Sequence, residues 1–180
     1  MRLYLTAAVL PDLWQRIFSY DFMCDGPKPD AMEDNFGMVG YDYSARPAYV
    51  ATATTSRMID GRVFIKRLQH PDSSIRIFLF GPANDPLLVA WCTEIKPEQM
   101  ITGTTEDGSN ALKLARFPGR PDYSLPVTLS VPSPRITIHD WQDREKTATS
   151  EQQLLQIDLT PWPVFIRNLG PANSIAIHEE

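Results

Sequence analysis

The sequence predicts a mainly β, β-rich α+β fold: an antiparallel sandwich or barrel-like sheet with one short N-terminal helix, or alternatively a ferredoxin-like α+β arrangement. Three observations predict it. Sixteen prolines are spread through 180 residues; proline lacks an N–H and clashes inside helices, so long helices have few places to stand. Apolar and β-branched runs recur between clusters of Gly, Pro, Asn and Asp, which is the rhythm of sandwiches and barrels. The chain is 43% hydrophobic, enough for a core, while no apolar run approaches the ~18 residues a membrane helix needs. A single domain over residues 1–180 is expected, with an irregular acidic loop or arm at about 21–47.

Arg2 to Leu10, rich in Leu, Tyr, Thr and Val, suits a buried first strand. One arginine, a short apolar stretch and no small-residue cleavage site before Pro11-Asp12 argue against a leader peptide, so a cytoplasmic protein is expected. After Pro11-Asp12, Leu13, Ile17 and Tyr20 share one helical face, which predicts a short helix. From Met23 to Pro47, Gly26, Pro27, Pro29, Gly37 and Gly40 forbid regular structure, yet Met32, Phe36, Met38, Val39, Tyr41 and Tyr43 call for burial.

Strands follow. Tyr49–Ser56 is Thr-rich and alternating. Arg62–Gln69 and Ser74–Phe80 flank the turn His70-Pro71-Asp72-Ser73, a hairpin. Leu87–Ile95, Ala111–Phe117 (a strand or one helical turn), Pro126–Val131 and Arg135–His139 come next. Trp141–Gln153 is polar and reads as a small surface helix or loop, before Leu154–Leu159, Val164–Leu169 and Ile175–His178. Gly81-Pro82-Ala83-Asn84 recurs as Gly170-Pro171-Ala172-Asn173, a shared turn chemistry rather than a duplication.

Little catalytic chemistry is legible. Cys24 and Cys92 allow one disulfide at most, and Cys92 lies in an apolar run as a buried free thiol. His139, Asp140 and Asp143 could pair an imidazole with a carboxylate, but no HxH, HxxxH, G-x-S-x-G or G-x-G-x-x-G is present. No cofactor, no metal and no catalytic residue is expected. The opening, Arg2 to Leu10 with Pro11-Asp12 and an aromatic helix, resembles that of the ferredoxin-like RNA-processing proteins of CRISPR systems. Their glycine-rich loop near the C-terminus is not evident here, and no histidine lies in or directly after the first helix.

The net charge of −5 is unevenly spread. Asp21, Asp25, Asp30, Glu33, Asp34 and Asp42 face Lys28 and Arg46 in the arm, while Arg57, Arg62, Lys66, Arg67 and Arg76 cluster beyond it. The expected function is therefore a non-catalytic protein-interaction module: an inhibitor, an immunity-type protein or a subunit of a larger assembly. It would engage another protein, with carboxylates steering toward a basic one. Its binding residues would be Asp30, Glu33, Asp34, Phe36, Tyr41, Tyr43 and Trp162. The alternative is a nucleic-acid-binding or RNA-processing protein using Arg57, Arg62, Lys66, Arg67, Arg76 and His70. On an alternating strand, Arg62, Phe64, Lys66 and Leu68 would share one face.

Overall fold

Alternation of apolar side chains with a period of two places each strand residue on one face or the other, and here both faces of the main sheet are covered. The computed structural model describes residues 2–10, 21–28, 30–31, 33–93 and 124–178. Two helices, α1 (Arg2–Val9) and α2 (Pro47–Ile59), precede nine strands. These are β1 (Phe64–Leu68), β2 (Ile75–Phe80), β3 (Leu87–Cys92), β4 (Leu125–Ser130), β5 (Arg135–His139), β6 (Glu145–Thr149), β7 (Leu154–Leu159), β8 (Val164–Arg167) and β9 (Ala176–Ile177). They build a six-stranded sheet in the order β1-β2-β3-β8-β5-β6 and a three-stranded sheet in the order β7-β4-β9. Every pairing between these nine strands is antiparallel. The expected β-rich antiparallel fold is what forms, as a sandwich-like pair of sheets and not a closed barrel.

One face of the large sheet packs into the sandwich. Ile77 and Leu79 of β2, Leu88 and Ala90 of β3, Ile136 and Ile138 of β5 and Ile166 of β8 meet Val127, Leu129, Leu155 and Leu159 of the small sheet. The intervening residues face the other way: Phe78, Phe80, Leu87, Val89, Trp91 and Phe165 cluster with Leu5 of α1 and Met58 of α2. Covering both faces explains why β2 and β3 are almost wholly apolar runs. The sheet edge β6 is mostly exposed and carries Glu145 and Lys146, which blunt it against edge-to-edge pairing.

Two expected strands are helices. Tyr49–Ser56 lies within α2, and Arg2–Leu10 is largely α1. Pro47 occupies the first helical turn, where its missing N–H costs nothing, and Ala51, Thr54, Thr55 and Met58 form an i, i+3, i+4, i+7 stripe that is buried. Threonine's strand preference is overridden because the outer face of the sheet needs a cover. With α1 in place of an opening strand, the likeness to the CRISPR-type opening and the ferredoxin-like alternative both fall away. Glu145–Thr149, read as helix or loop, is strand β6. The expected helix at Leu13–Tyr20 and the element at Ala111–Phe117 lie outside the described residues.

The expected hairpin joins β1 and β2, its turn held by Asp72 Oδ1, which accepts from Ser74 N and Oγ at 2.8 and 2.7 Å. The repeated Gly-Pro-Ala-Asn turns meet each other: Ala172 N donates to Ala83 O at 2.8 Å. Gly170 sits at φ +90°, and a Cβ there would lie 2.4 Å from Pro132 Cγ, so the position requires glycine. Cys24 and Cys92 are both buried and not joined in a disulfide. Among the described residues no helix is long and apolar enough to cross a membrane.

Candidate functional site

Antiparallel register assembles the richest cleft. On β5 and β8, His139 pairs with Phe165. Just beyond that pair, Trp141 in the turn after β5 and Trp162 ahead of β8 come together. The two indoles stack, with ring centroids 5.2 Å apart and planes 28° from parallel.

Each tryptophan stands on a constrained corner. Trp162 lies in a bend between Pro161 and Pro163, whose rings restrict the backbone on either side, and its backbone N–H donates to Thr160 Oγ1 at 3.2 Å. Trp141 lies in the β5–β6 turn, organised by one carboxylate. Asp140 Oδ1 accepts from Gln142 N at 2.8 Å and Arg144 N at 3.0 Å, and Asp140 Oδ2 accepts from Arg144 Nε at 2.6 Å. Asp143 completes the turn at φ 66°, a left-handed conformation that Asp tolerates better than most residues.

The cleft measures about 730 Å³ and is lined by both tryptophans with Asp140, Gln142, Arg144, Glu145, Lys146, Asp158 and Thr160. That volume falls within the roughly 300–1,000 Å³ of small-molecule sites. Behind the turn, His139 is only 7% exposed. Its Nδ1 lies 3.2 Å from Asp143 Oδ1 and its Nε2 lies 3.7 Å from Glu145 Oε2. Asp143 in turn pairs with Arg57 of α2. Both imidazole nitrogens therefore face carboxylates, and the ring is fixed between the turn and strand β6. No group of three or more metal-ligating side chains occurs among the described residues.

The other sequence-predicted residues lie elsewhere. In the arm, Val39 bridges both Met23 and Ala45, so the segment is folded on itself. Arg46 Nη1 ties it, donating to Cys24 Sγ and Asn35 O at 2.8 Å and to Gly37 O at 3.1 Å. Asp34 accepts from Lys28 N at 3.1 Å. Asp30 is exposed, Glu33 opens a short 3-10 turn, and Phe36, Tyr41 and Tyr43 stand at the surface. Tyr41 lines a second, smaller cleft of about 410 Å³ with Cys24, Asn35, Asp42 and Arg46. Trp162 does not join them; its ring is stacked on Trp141.

The basic residues are dispersed. Arg57 pairs with Asp143. Arg62 precedes β1 and donates to Gly81 O at 3.2 Å and Asp85 O at 3.0 Å. Arg76 donates to Ser73 O and Ile75 O, and His70 Nδ1 accepts from Asp72 N. Lys66 and Arg67 remain on β1. The expected shared face of Arg62, Phe64, Lys66 and Leu68 does not form. A register shift between Phe64 and Lys66 breaks the alternation, so Phe64 packs on the helix side and Leu68 in the sandwich.

Sequence reasoning singled out Trp162 and the set His139, Asp140 and Asp143 separately, and missed Trp141 as its partner. The signal was present as two tryptophans near the ends of strands, but only the β5–β8 pairing brings them together.

No protein-family model and no curated protein matches the chain. Its fold is similar to that of a family 39 glycoside hydrolase from the gut symbiont Bacteroides cellulosilyticus WH2. The likeness has a TM-score of 0.68 at 22% identity and covers 92% of this chain but 28% of that one. A GH30 endoxylanase from Clostridium papyrosolvens C71 aligns over 71% of this chain and 29% of that chain, with a TM-score of 0.45 and 9% identity. The family 39 likeness corrects the functional expectation. The fold recurs over nearly the whole chain inside a glycoside hydrolase, which points to a glycosidase-like fold rather than the expected non-catalytic interaction module. The expectation rested on charge and aromatic content in the arm, and those properties say nothing about the sandwich to which the arm is attached.

Proposed function

We propose that this chain serves glycoside hydrolysis, as the β-sandwich part of a glycosidase-type protein that handles a saccharide substrate. The observation that carries the reading is the fold likeness across 92% of the chain to part of a family 39 glycoside hydrolase. The chain spans 28% of that protein's length, so the activity of the whole is proposed and not read from the fold. The Trp141–Trp162 cleft adds chemical support, because a half-buried pair of indoles beside carboxylates and cationic groups suits a ring that is apolar on its C–H faces and polar at its rim.

Glycosidic cleavage uses two carboxyl groups on either side of the scissile bond, about 5–9.5 Å apart according to stereochemistry. Of the cleft carboxylates, Asp140 is engaged by Arg144 and the turn and Glu145 lies 3.7 Å from His139 Nε2, which leaves Asp158 the most open to a ligand.

Affinity electrophoresis of the purified chain through gels containing xylan, β-glucan or galactomannan tests the reading. Retardation by at least one polysaccharide is expected. A chain that is folded by circular dichroism yet retarded by none of them overturns it.

A further inference from the structure

We propose that the Trp141–Trp162 cleft is a subsite for a short, neutral oligosaccharide, held by the stacked indoles and by Asp158, Glu145 and Lys146. The inference rests on the glycosidase reading and assigns it a place.

Preorganisation is the first argument. Trp162 is held between two prolines and Trp141 in a turn braced by Asp140 and Arg144, so the indole pair is ordered before any ligand arrives. A sugar ring lying against the part of the pair left exposed orders few additional side chains, which removes much of the usual entropic cost of binding.

Chemistry at the rim is the second. Sugar hydroxyls donate to carboxylates and accept from ammonium groups. The cleft supplies Glu145 and Asp158 as acceptors and Lys146 as a donor, carried on β6 and β7. Asp158 and Lys146 are exposed and so free to meet a ligand without first being uncovered. Charge balance selects a neutral ligand: Asp140, Glu145 and Asp158 outnumber Arg144 and Lys146 in the lining. Arg144 is moreover paired with Asp140, with Nη2 at 2.6 Å from Oδ2, so an anionic sugar would face two carboxylates against one lysine.

Fixed elements are the third argument. The lining comes from β5, β6, β7, β8 and the turns joining them, and His139 is wedged behind it between Asp143 and Glu145. A site on such a base keeps its geometry better than one on a long loop.

The test is isothermal titration of the intact chain with xylopentaose, cellopentaose and mannopentaose, with trigalacturonic acid as the charged comparison. Tryptophan fluorescence is followed in parallel. At least one neutral oligosaccharide should bind and shift the emission. Asp158→Asn should weaken binding about tenfold, the loss of one charge-assisted hydrogen bond, and Trp162→Phe should weaken it several-fold. Tyr43→Ala, at an exposed residue that is not among those lining the cleft, should leave it unchanged. If Trp162→Phe fails to fold, Asp158→Asn and Lys146→Ala, both at exposed positions, still decide the matter. Saccharide binding that survives Asp158→Asn, Lys146→Ala and any folded Trp162→Phe overturns this placement while leaving the glycosidase reading standing. Absence of all saccharide binding overturns both. Preference for trigalacturonic acid overturns the neutral assignment.

Discussion

Met58→Ala is the perturbation that most directly tests how the helices complete this fold. Met58 is buried on α2 in the cluster of Leu5, Phe78, Phe80, Leu87, Val89, Trp91 and Phe165. Truncation removes three heavy atoms beyond Cβ. At about 0.8 kcal/mol per buried methylene-sized group, the transfer term is about 2 kcal/mol. A residual cavity of some tens of Å³ adds about 1 kcal/mol at ~24 cal/mol per Å³. Alanine's better helix propensity returns only a few tenths. The expected loss is therefore about 3 kcal/mol. Urea denaturation followed by circular dichroism should show the midpoint falling by roughly 1–2 M, with the slope unchanged. Ser56→Ala, at an exposed position of the same helix, should stay within about 0.5 kcal/mol. Had Tyr49–Ser56 been a strand, Met58 would stand in a turn before Asp60-Gly61, and its truncation would cost next to nothing. A loss below about 1 kcal/mol would refute the packing of α2 on the sheet.

Three other outcomes follow from the geometry. Arg46→Ala removes the donor shared by Cys24 Sγ, Asn35 O and Gly37 O; the arm should loosen, and Cys24 should react faster with a thiol reagent than in the wild type, whereas Cys92 should not. Gly170→Ala imposes a Cβ on a left-handed residue against Pro132, and thermal unfolding should report a loss of about 1–3 kcal/mol. Asp72 is held below its usual carboxylate range by the Ser74 backbone N–H first and the Ser74 hydroxyl second. Its contribution is thus present above the unfolded pKa near 3.8 and is lost as pH falls through the lower folded value. Because the group is half-buried at a surface turn and screened by solvent, the effect stays below about 1 kcal/mol. Asp72→Asn should shallow the acid limb of a stability-against-pH curve, and an unchanged limb counts against the turn's role.

Much of the strand pattern was legible because burial imposes a period of two. Ile75 to Phe80, Leu87 to Cys92 and Leu154 to Leu159 lie almost where their apolar runs begin and end. The helices were not, although Ala51, Thr54, Thr55 and Met58 carried the helical stripe. Threonine and valine favour strands locally, and an eight-residue helix such as α1 has little stability until it packs on a sheet. The basic strand misled for a similar reason, since one irregularity between Phe64 and Lys66 reverses which side chains share a face.

Composition and local pattern by themselves determined a β-rich antiparallel chain, its proline-marked turns and the buried thiol of Cys92. Those properties depend on neighbours in the chain and on period, which a linear string records. Tertiary structure alone decided that two helices cover one face of the large sheet, and that the β5–β8 register brings Trp141 onto Trp162 beside Asp158 and Lys146. Such groupings arise from pairings between residues far apart in sequence, and no local propensity encodes which strands will be neighbours.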